Sequence, residues 1–367
     1  MTPRIKVLIV DDSAVARDLL ERALSRDPDI EVVGKASDAF AARDKIVFLK
    51  PDVITLDVEM PRMDGIEFLK RLMAQFPIPT VVVSAVTAEG SRKALDALDA
   101  GAIEVVGKPS AMNPNALSDM IAELVEKVKA AAGADLSKIK AVAAANAVTK
   151  VRPRSKLPAA AAAASAARRA AAGAGARSRR LIAIGASTGG TTAIRRIVEA
   201  FPADTPPVVI VQHMPPVFTG MFAEALDKSS AMTVREAEDG MPLVHGLVLV
   251  APGDRHLRIA ADGDGWVARC SDGPKVSGHR PSVDVLFNSV AAVAGSDAVA
   301  ALLTGMGRDG ADGMLAILNA GGRCIAQDEA SSVVWGMPRE AWSAGAAEKL
   351  VPLDSIAREL LMRLAKS

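Results

Sequence analysis

The sequence predicts an α/β protein with two doubly wound parallel sheets, because short apolar strands alternate with helical patterns on both sides of an alanine-rich stretch. The chain has 367 residues, 50% of them hydrophobic and 24% charged, which is enough apolar material for two cores. We expect a first domain over residues 1–131, an Ala-rich basic linker over 132–178 and a second domain over 179–367.

Five strand–helix units are expected before the linker. Short runs rich in β-branched residues lie at Val7–Val10, Val32–Val33, Val53–Leu56, Thr80–Val83 and Ile103–Val106. Helical patterns follow them at Ala14–Leu24, Ala39–Leu49, Ile66–Phe76, Arg92–Asp99 and Ala116–Val128. Units of this length favour a parallel sheet whose functional residues lie at the carboxyl ends of the strands.

The linker is expected from its composition. Between Ala141 and Ala176, 18 of 36 residues are alanine. Thirteen Lys and Arg residues, and no acid, lie between Asp135 and Glu199. Alanine favours helix, but no apolar face for docking is present, so we expect a partly helical spacer. Contact with an acidic surface or a membrane is the alternative.

The alternation returns less regularly after the linker. Strands are expected at Leu181–Ile184, Val208–Gln212, Leu247–Val250 and Val299–Leu303. Helices are expected at Thr191–Ala200, Met221–Asp227, Val283–Ala294 and Gly313–Ala320. The segments His256–Ile259 and Trp266–Arg269 flank two Asp-Gly pairs, which predicts a β-hairpin.

Charge, cysteine content and hydropathy exclude several classes of protein. The formal net charge is +1 and no helix-turn-helix pattern is present, so we expect no nucleic-acid partner. The isolated Cys270 and Cys324 make neither a disulfide framework nor a CxxC metal site. Because no run of ~18 apolar residues occurs and the N-terminus begins a strand, we expect a cytoplasmic protein that is not embedded in a membrane.

Three aspartates are expected to converge in the first domain. Asp11 and Asp12 end the first strand and Asp57 ends the third, while Ser84 and Lys108 end the fourth and fifth. Clustered carboxylates repel one another unless a hard cation neutralises them, and oxygen ligands suit Mg²⁺. This set suits phosphoryl transfer to Asp57. Scattered strand-end acids or a purely structural ion site are the alternatives.

Three strand ends of the second domain carry residues suited to acyl transfer. Ser187 lies in a Gly-x-Ser-x-Gly turn, His213 ends the next strand, and Asp309 follows a later strand. On neighbouring strands they would supply a nucleophile, its base and the acid that orients the imidazole. A glycine turn that binds phosphate or caps a helix is the alternative for the serine segment.

The turn after residue 303 supports a rival interpretation. Gly305-x-Gly307-x-x-Gly310 matches the dinucleotide-binding pattern, and Asp328 and Glu329 lie near the distance expected for a ribose contact. Only 57 residues follow Gly310, which is short for the second half of such a site. The hypothesis also leaves the serine–histidine pair unexplained, so we favour the acyl-transfer site.

Residues 1–131 resemble the receiver domains of two-component response regulators, which have a flavodoxin-like fold. The resemblance rests on Val10-Asp11-Asp12, Asp57 with Met60-Pro61 and Asp64-Gly65, Ser84-Ala85, and Lys108-Pro109. It implies that Asp57 accepts phosphate from a chemotaxis histidine kinase. It also implies that Mg²⁺ is held by Asp11, Asp12 and Asp57, and that the switch residues are Ser84 and Lys108.

The second domain resembles the Rossmann-like catalytic domain of the chemotaxis protein-glutamate methylesterases. The matching segments are Gly185–Gly190, Gln212–Pro216, Ala251–His256, Arg280–Asp284 and Gly305–Ala311. The resemblance implies a catalytic triad of Ser187, His213 and Asp309. It implies an oxyanion hole from backbone N–H groups of Thr188 and Met306, and no cofactor for ester hydrolysis.

Together the two resemblances imply a phosphorylation-activated enzyme. The expected reaction is hydrolysis of glutamate γ-methyl esters on methyl-accepting chemotaxis receptors with release of methanol, accompanied by deamidation of receptor glutamines. The resemblance further implies that the unphosphorylated receiver covers the active-site cleft. The linker departs from the family pattern, because it is far longer and richer in alanine than the short connector expected.

Overall fold

The computed structural model describes residues 3–60, 64–108, 114–135, 138 and 179–365. The chain divides into two compact units, Met1–Ala147 and Val148–Ser367. Most of the expected linker, residues 139–178, lies outside the described residues, so its helical character stays a prediction. Within the described ranges, no helix is both long enough and apolar enough to cross a membrane.

The first unit contains a five-stranded parallel sheet. Its strands are β1 (Ile5–Val10), β2 (Ile30–Ala36), β3 (Val53–Leu56), β4 (Thr80–Ala85) and β5 (Glu104–Lys108). Its helices are α1 (Ala14–Leu24), α2 (Ala39–Leu49), α3 (Gly65–Gln75), α4 (Ala88–Asp99) and α5 (Pro114–Ala132). The strand order β2-β1-β3-β4-β5 is the flavodoxin-like order.

Polar side chains begin four of these helices. Ser13, Asp38, Asp64 and Thr87 each accept a hydrogen bond from a backbone N–H of the helix that follows. Such caps satisfy donors that would otherwise lack a partner in the first turn. They end the loops that leave β1, β2, β3 and β4, and so fix where the candidate site residues of this unit lie.

The second unit contains a seven-stranded parallel sheet and a separate antiparallel hairpin. The sheet strands are β6 (Leu181–Ala186), β7 (Val208–Gln212), β8 (Thr233–Glu236), β9 (Leu247–Val250), β12 (Ala298–Leu302), β13 (Arg323–Gln327) and β14 (Lys349–Val351). The hairpin consists of β10 (His256–Asp262) and β11 (Gly265–Ser271). The helices are α6 (Gly190–Ala200), α7 (Phe218–Ser229), α8 (Val283–Ala294), α9 (Ala311–Asn319), α10 (Met337–Ser343) and α11 (Leu353–Leu364).

The strand order of the second sheet is β14-β13-β12-β6-β7-β9-β8. The order reverses between β6 and β12, which makes the carboxyl ends of these strands the topological switch point where doubly wound sheets bind ligands. The prediction of two doubly wound sheets is therefore confirmed, as is the hairpin. The strands β8, β13 and β14 and the helices α10 and α11 were not predicted.

Two glycines allow α8 to pack directly against this switch point. A Cβ at Gly185 would lie 2.3 Å from Cγ1 of Val283, and one at Gly310 would lie 2.6 Å from the same atom. Val283, Leu286 and Phe287 are fully buried on this side of the sheet. The N-terminus of α8 therefore lies close to the turns that follow β6 and β12.

Candidate active site

Ser187 and His213 lie side by side because their strands are neighbours. β6 pairs with β7 so that Ala186 is opposite Gln212, and the two candidate residues come next in each chain segment. The backbone N–H of His213 donates to the Ala186 carbonyl at 3.1 Å, which extends the pairing by one residue. Ser187 is 8% exposed and His213 is 7% exposed. Both side chains are thus almost fully shielded from solvent at the carboxyl ends of the strands.

Asp309 reaches the same position from the other side of β6. It lies in the turn between β12 and α9, and β12 pairs with β6. Its Oδ2 atom is 2.8 Å from Nε2 of His213. Burial works to raise the pKa of Asp309, but the hydrogen bond and charge of His213 and donors from α8 hold that pKa well below its ordinary value. Asp309 is therefore a carboxylate, which favours a proton on Nε2 of the imidazole.

The N-terminus of α8 supplies those donors. The Ser282 hydroxyl donates to Asp309 at 2.7 Å, and the N–H groups of Val283 and Asp284 donate at 2.7 and 3.1 Å. A helix N-terminus favours an anion because its first N–H groups lack partners within the helix. Ser282 therefore acts as a fourth residue beside the expected triad, because it holds the carboxylate of Asp309 in place. Its sequence signal was a serine directly before an apolar helical segment, which is typical of a helix cap.

The second ring nitrogen of His213 is buried and has no hydrogen-bond partner among the residues that the structure describes. With a proton on Nε2, this Nδ1 atom carries the lone pair that can accept another proton. Nδ1 and the hydroxyl of Ser187 are not hydrogen-bonded here, although such contacts often tighten only when substrate binds. The arrangement suits a general base.

Backbone donors flank the serine. The N–H groups of Thr188 and Met306 have no acceptor within the described part of the chain. The turn that carries them is held rigidly: the Ser187 N–H donates to the Thr304 carbonyl at 3.0 Å, and the Thr304 hydroxyl donates to the Thr188 carbonyl at 2.8 Å. Free donors on a fixed frame can stabilise a developing oxyanion.

Gln212 fixes the main chain of both candidate catalytic residues and was missed by the sequence analysis. Its side-chain amide donates to the carbonyl of Ser187 at 3.0 Å and to that of His213 at 3.2 Å. The residue is fully buried. The available signal was a polar amide at the end of an otherwise apolar buried strand, where an unpaired polar group would be costly.

Two of the three glycines in the rival dinucleotide pattern, Gly305 and Gly310, are explained by packing within the fold. A Cβ at Gly305 would lie 2.3 Å from Sδ of Met337 and 2.8 Å from Cβ of Ser187. A Cβ at Gly310 would lie 2.6 Å from Cγ1 of Val283. In a dinucleotide site the first two glycines of the pattern shape a tight turn and let a pyrophosphate approach the backbone, whereas here Gly305 makes room for Met337 and Ser187. The structure therefore favours the acyl-transfer hypothesis over the dinucleotide hypothesis.

In the first unit, the expected residues meet at the carboxyl edge of the sheet. Carboxylate oxygens of Asp11, Asp12 and Asp57 lie within 4.8 Å of one another. Nζ of Lys108 is 2.8 Å from Oδ2 of Asp11 and 2.6 Å from Oδ2 of Asp57. Burial raises the pKa of Asp11 although Lys108 opposes this effect. Three carboxylates, whose negative charge one lysine neutralises only in part, fit a divalent cation such as Mg²⁺.

Ser84 and Lys108 occupy adjacent strands of this edge. β4 pairs with β5 so that Ser84 is opposite Gly107, one residue before Lys108. The Ser84 hydroxyl is fully buried and donates to the Gly90 carbonyl of α4 at 3.1 Å. Burial works to lower the pKa of Lys108, but its hydrogen bonds to Asp11 and Asp57 raise it, so the side chain is an ammonium. The strand ends and α4 are thus linked through one hydroxyl.

Comparisons with known proteins match both units. Residues 182–360 match the CheB methylesterase family, and residues 7–122 match the response regulator receiver domain. A protein-glutamate methylesterase/protein-glutamine glutaminase of Syntrophotalea carbinolica is 49% identical over 366 residues, covering 100% of this chain and 99% of the relative.

A second relative and a solved structure are also similar to this chain. A protein-glutamate methylesterase/protein-glutamine glutaminase of Anaeromyxobacter dehalogenans is 51% identical, covering 99% of this chain and 95% of the relative. The crystal structure of the Thermotoga maritima CheB methylesterase catalytic domain is 38% identical and covers 50% of this chain and 98% of its own, with a TM-score of 0.49. On its identity to full-length relatives, the chain belongs to the CheB methylesterase family, with a receiver domain ahead of its methylesterase domain.

Proposed function

We propose that this chain hydrolyses glutamate γ-methyl esters on methyl-accepting chemotaxis receptors and deamidates receptor glutamines. The observation that carries the proposal is the His213–Asp309 hydrogen bond beside Ser187, with Nδ1 of the imidazole buried and without a hydrogen-bond partner in the described part of the chain. The names of the relatives supply the substrate class. We expect the enzyme to act in the cytoplasm, with the receptors and a chemotaxis histidine kinase as its partners.

The first half of the reaction acylates the serine. Oγ of Ser187 attacks the γ-carbonyl carbon while Nδ1 of His213 takes the hydroxyl proton. The N–H groups of Thr188 and Met306 stabilise the oxyanion, which is worth ~3–4 kcal/mol per donor in comparable sites. Asp309 keeps the imidazole oriented and stabilises its charged form. The tetrahedral intermediate then collapses, and His213 returns the proton to the leaving methoxide as methanol departs.

The second half releases the receptor glutamate. His213 takes a proton from water, whose oxygen attacks the acyl carbon, and the proton then passes to Oγ of Ser187. A glutamine side chain follows the same route with ammonia as the leaving group. Every proton in this scheme is handled by the chain's own residues, so we expect the esterase reaction to need no cofactor.

We further propose that phosphorylation of Asp57 activates the esterase. Oδ1 of Asp57 accepts the Glu59 N–H at 2.8 Å, and Oδ2 contacts Lys108. Mg²⁺ held by Asp11, Asp12 and Asp57 would offset charge on the transferring phosphoryl group. Lys108 would move to a phosphoryl oxygen. The Ser84 hydroxyl would leave the Gly90 carbonyl and donate to a second phosphoryl oxygen. Phosphorylation then acts by stabilising one arrangement of β4 and α4 over the other.

Methanol release from methylated chemoreceptor membranes tests both parts of the proposal. Wild type and Ser187→Ala would be compared with and without a small-molecule phosphodonor and Mg²⁺. We expect release that needs Ser187 and rises with the phosphodonor. Equal release by folded Ser187→Ala would disprove the acyl-enzyme mechanism.

Asp57→Ala tests the activation separately. The variant should keep the basal rate of methanol release, because no catalytic residue is changed, and it should not respond to the phosphodonor. A normal response by this variant would mean that another residue accepts the phosphate. Phos-tag electrophoresis of wild type and variant would check phosphorylation directly.

A further inference from the structure

The imidazole of His213 is covered on one face by a second imidazole. The rings of His213 and His279 are stacked, with their centroids 3.8 Å apart and their planes 13° from parallel. Ring nitrogens donate and accept in the plane of the ring, so a stack on the face leaves the Nδ1 and Nε2 edges of His213 available. The contact therefore constrains the base without occupying the atoms that transfer protons.

A tight turn delivers His279 to this position. Val276 and His279 exchange two backbone hydrogen bonds, at 3.0 and 2.9 Å. The two residues between them, Ser277 and Gly278, have φ values of 53° and 83°, as a two-residue hairpin turn with both central residues left-handed requires. The turn uses only main-chain atoms of residue 279, so its formation does not require an imidazole there.

A buried histidine ties both ends of the segment that carries the turn. We name residues 274–282 the strap. Nε2 of His256 is 2.8 Å from the Pro274 carbonyl, and Nδ1 accepts the Ser282 N–H at 3.2 Å. The carbonyl accepts and the N–H donates, so His256 is neutral with its proton on Nε2. The strap thus begins and ends on the two edges of one ring that is 1% exposed.

Arg280 anchors the strap a third time, next to the stacked ring. Its guanidinium donates twice to Oδ1 of Asp254, at 2.9 and 2.6 Å, and once to the Gly273 carbonyl at 2.8 Å. A guanidinium is a planar donor group, and several charge-assisted bonds to it fix geometry well. His279 is therefore held from both sides on a segment with little freedom.

We infer that His279 is a positioning residue for the general base: its ring fixes the plane of the His213 imidazole. The Nε2–Asp309 contact is the one hydrogen bond of this ring among the described residues, and by itself it does not fix how the ring turns about its Cβ–Cγ bond. A ring stacked on the face removes this rotation, so that Nδ1 keeps a single direction. The inference deepens the proposed function, because it rests on His213 acting as the base.

Two substitutions at residue 279 test the inference in the full-length chain. His279→Ala should lower kcat for methanol release from methylated receptor membranes by about 10- to 100-fold, with KM unchanged, because base geometry is lost and receptor binding is not. His279→Phe keeps a flat ring on the same face and should restore most of the lost kcat. The rate of Ser187 labelling by a fluorophosphonate should follow kcat, since that reaction needs the base but no receptor.

His245→Ala is the matched control. Nδ1 of His245 is 3.0 Å from the Asp204 carbonyl. The residue precedes β9 and so lies at the amino ends of the strands, opposite the candidate site at their carboxyl ends, and its loss should leave kcat unchanged. Thermal unfolding of each variant checks that the fold is intact. An unchanged kcat in His279→Ala, a loss confined to KM, or a Phe variant as slow as Ala would each overturn the inference. Equal methanol release by wild type and by folded Ser187→Ala would instead overturn the proposed function.

Discussion

Asp309 and Asp284 are neighbouring buried carboxylates with opposite electrostatic environments. Asp309 accepts hydrogen bonds from His213 and from α8, whereas Oδ1 of Asp284 accepts the Gly313 N–H at 2.7 Å. Burial raises the pKa of Asp284 to about 6, the Gly313 N–H opposes this, and the negative charge of Asp309 adds to it. Pairs of acids whose pKa values are driven apart in this way are typical of active sites. Here the ionised member is the one that contacts the imidazole.

The raised pKa of Asp284 predicts a specific pH dependence of stability. An acid whose pKa rises from 3.8 to about 6 on folding contributes its full stability below pH 3.8 and loses it as the pH rises through 6. Asp284→Asn removes this loss. The free energy of unfolding of the variant minus that of wild type should therefore be higher at pH 8 than at pH 4, by on the order of 1–3 kcal/mol.

Urea unfolding followed by tryptophan fluorescence measures this difference, because Trp266, Trp335 and Trp342 all lie in the second unit. Asp264→Asn, at the exposed turn of the hairpin, is the matched control and should give a pH profile parallel to that of wild type. Parallel profiles for Asp284→Asn and wild type would contradict the assignment.

Gly305→Ala tests whether the packing of this turn fixes the position of the Ser187 nucleophile. The added methyl group would press on Cβ of Ser187 and on the flexible end of Met337, so the serine has to move. We expect methanol release and fluorophosphonate labelling to fall by about 100-fold, since a displacement near 1 Å is enough for that loss. Gly133→Ala, where a Cβ meets nothing closer than 3.6 Å, should leave both rates unchanged. Normal labelling of Gly305→Ala would show that the turn is more tolerant than its packing indicates.

At the scale of elements, α8 links the stability of the second unit to its chemistry. Ser282 caps this helix by accepting the Val285 N–H, and it donates to Asp309. Ser282→Ala should therefore lower the free energy of unfolding by about 1 kcal/mol through the cap, and more through the buried carboxylate. It should also lower kcat, because Asp309 loses one of the groups that hold it.

Asp38→Ala provides the comparison for this variant. Asp38 caps α2 in the first unit, whereas the candidate catalytic residues all belong to the second unit, so its removal should cost stability without changing the basal kcat. Urea unfolding and methanol release would be measured on both variants. If Ser282→Ala lost stability but kept full activity, the helix cap would be the only role of this serine.

The elements that the sequence predicted are those with strong apolar runs. The patterns for α1, α2, β3, β7, β9 and α8 give the observed bounds, because each has apolar residues at the spacing of its own structure. β8 (TVRE) and β14 (KLV) are short, partly polar edge strands, and β13 (RCIAQ) begins with an exposed arginine. Their strand structure comes from pairing with neighbours, which local periodicity does not encode.

The same distinction applies to the site residues. Ser187, His213 and Asp309 could be proposed because each follows a recognisable strand, and parallel strands end at one edge. The stacking of His279 on His213 could not be predicted, because it depends on the path of the strap and on anchors at Asp254 and His256. Sequence patterns indicated which groups could react, and tertiary contacts decided how they are held.

At the scale of the whole molecule, every residue of the candidate esterase site lies between residues 187 and 309, within the second unit. This unit has its own seven-stranded sheet and a continuous buried core. A fragment of residues 179–367 should therefore fold and release methanol without a response to the phosphodonor. If the receiver inhibits the esterase, as the family resemblance implies, the fragment should be faster than the unphosphorylated full chain. A fragment no faster than the full chain would contradict inhibition.

The position of β12 has a consequence for how the enzyme is made. β12 lies next to β6 at the middle of the sheet, yet it is synthesised after more than 100 intervening residues. Until it emerges from the ribosome, β6 is an edge strand, and His213 has no acid to orient it. Contacts between segments so distant in sequence form slowly, because a long loop has to be closed first. If Asp309 orients His213 as proposed, esterase activity should appear only once most of the chain has been translated. A copy that ends before Asp309, although it carries both serine and histidine, should leave methyl esters intact.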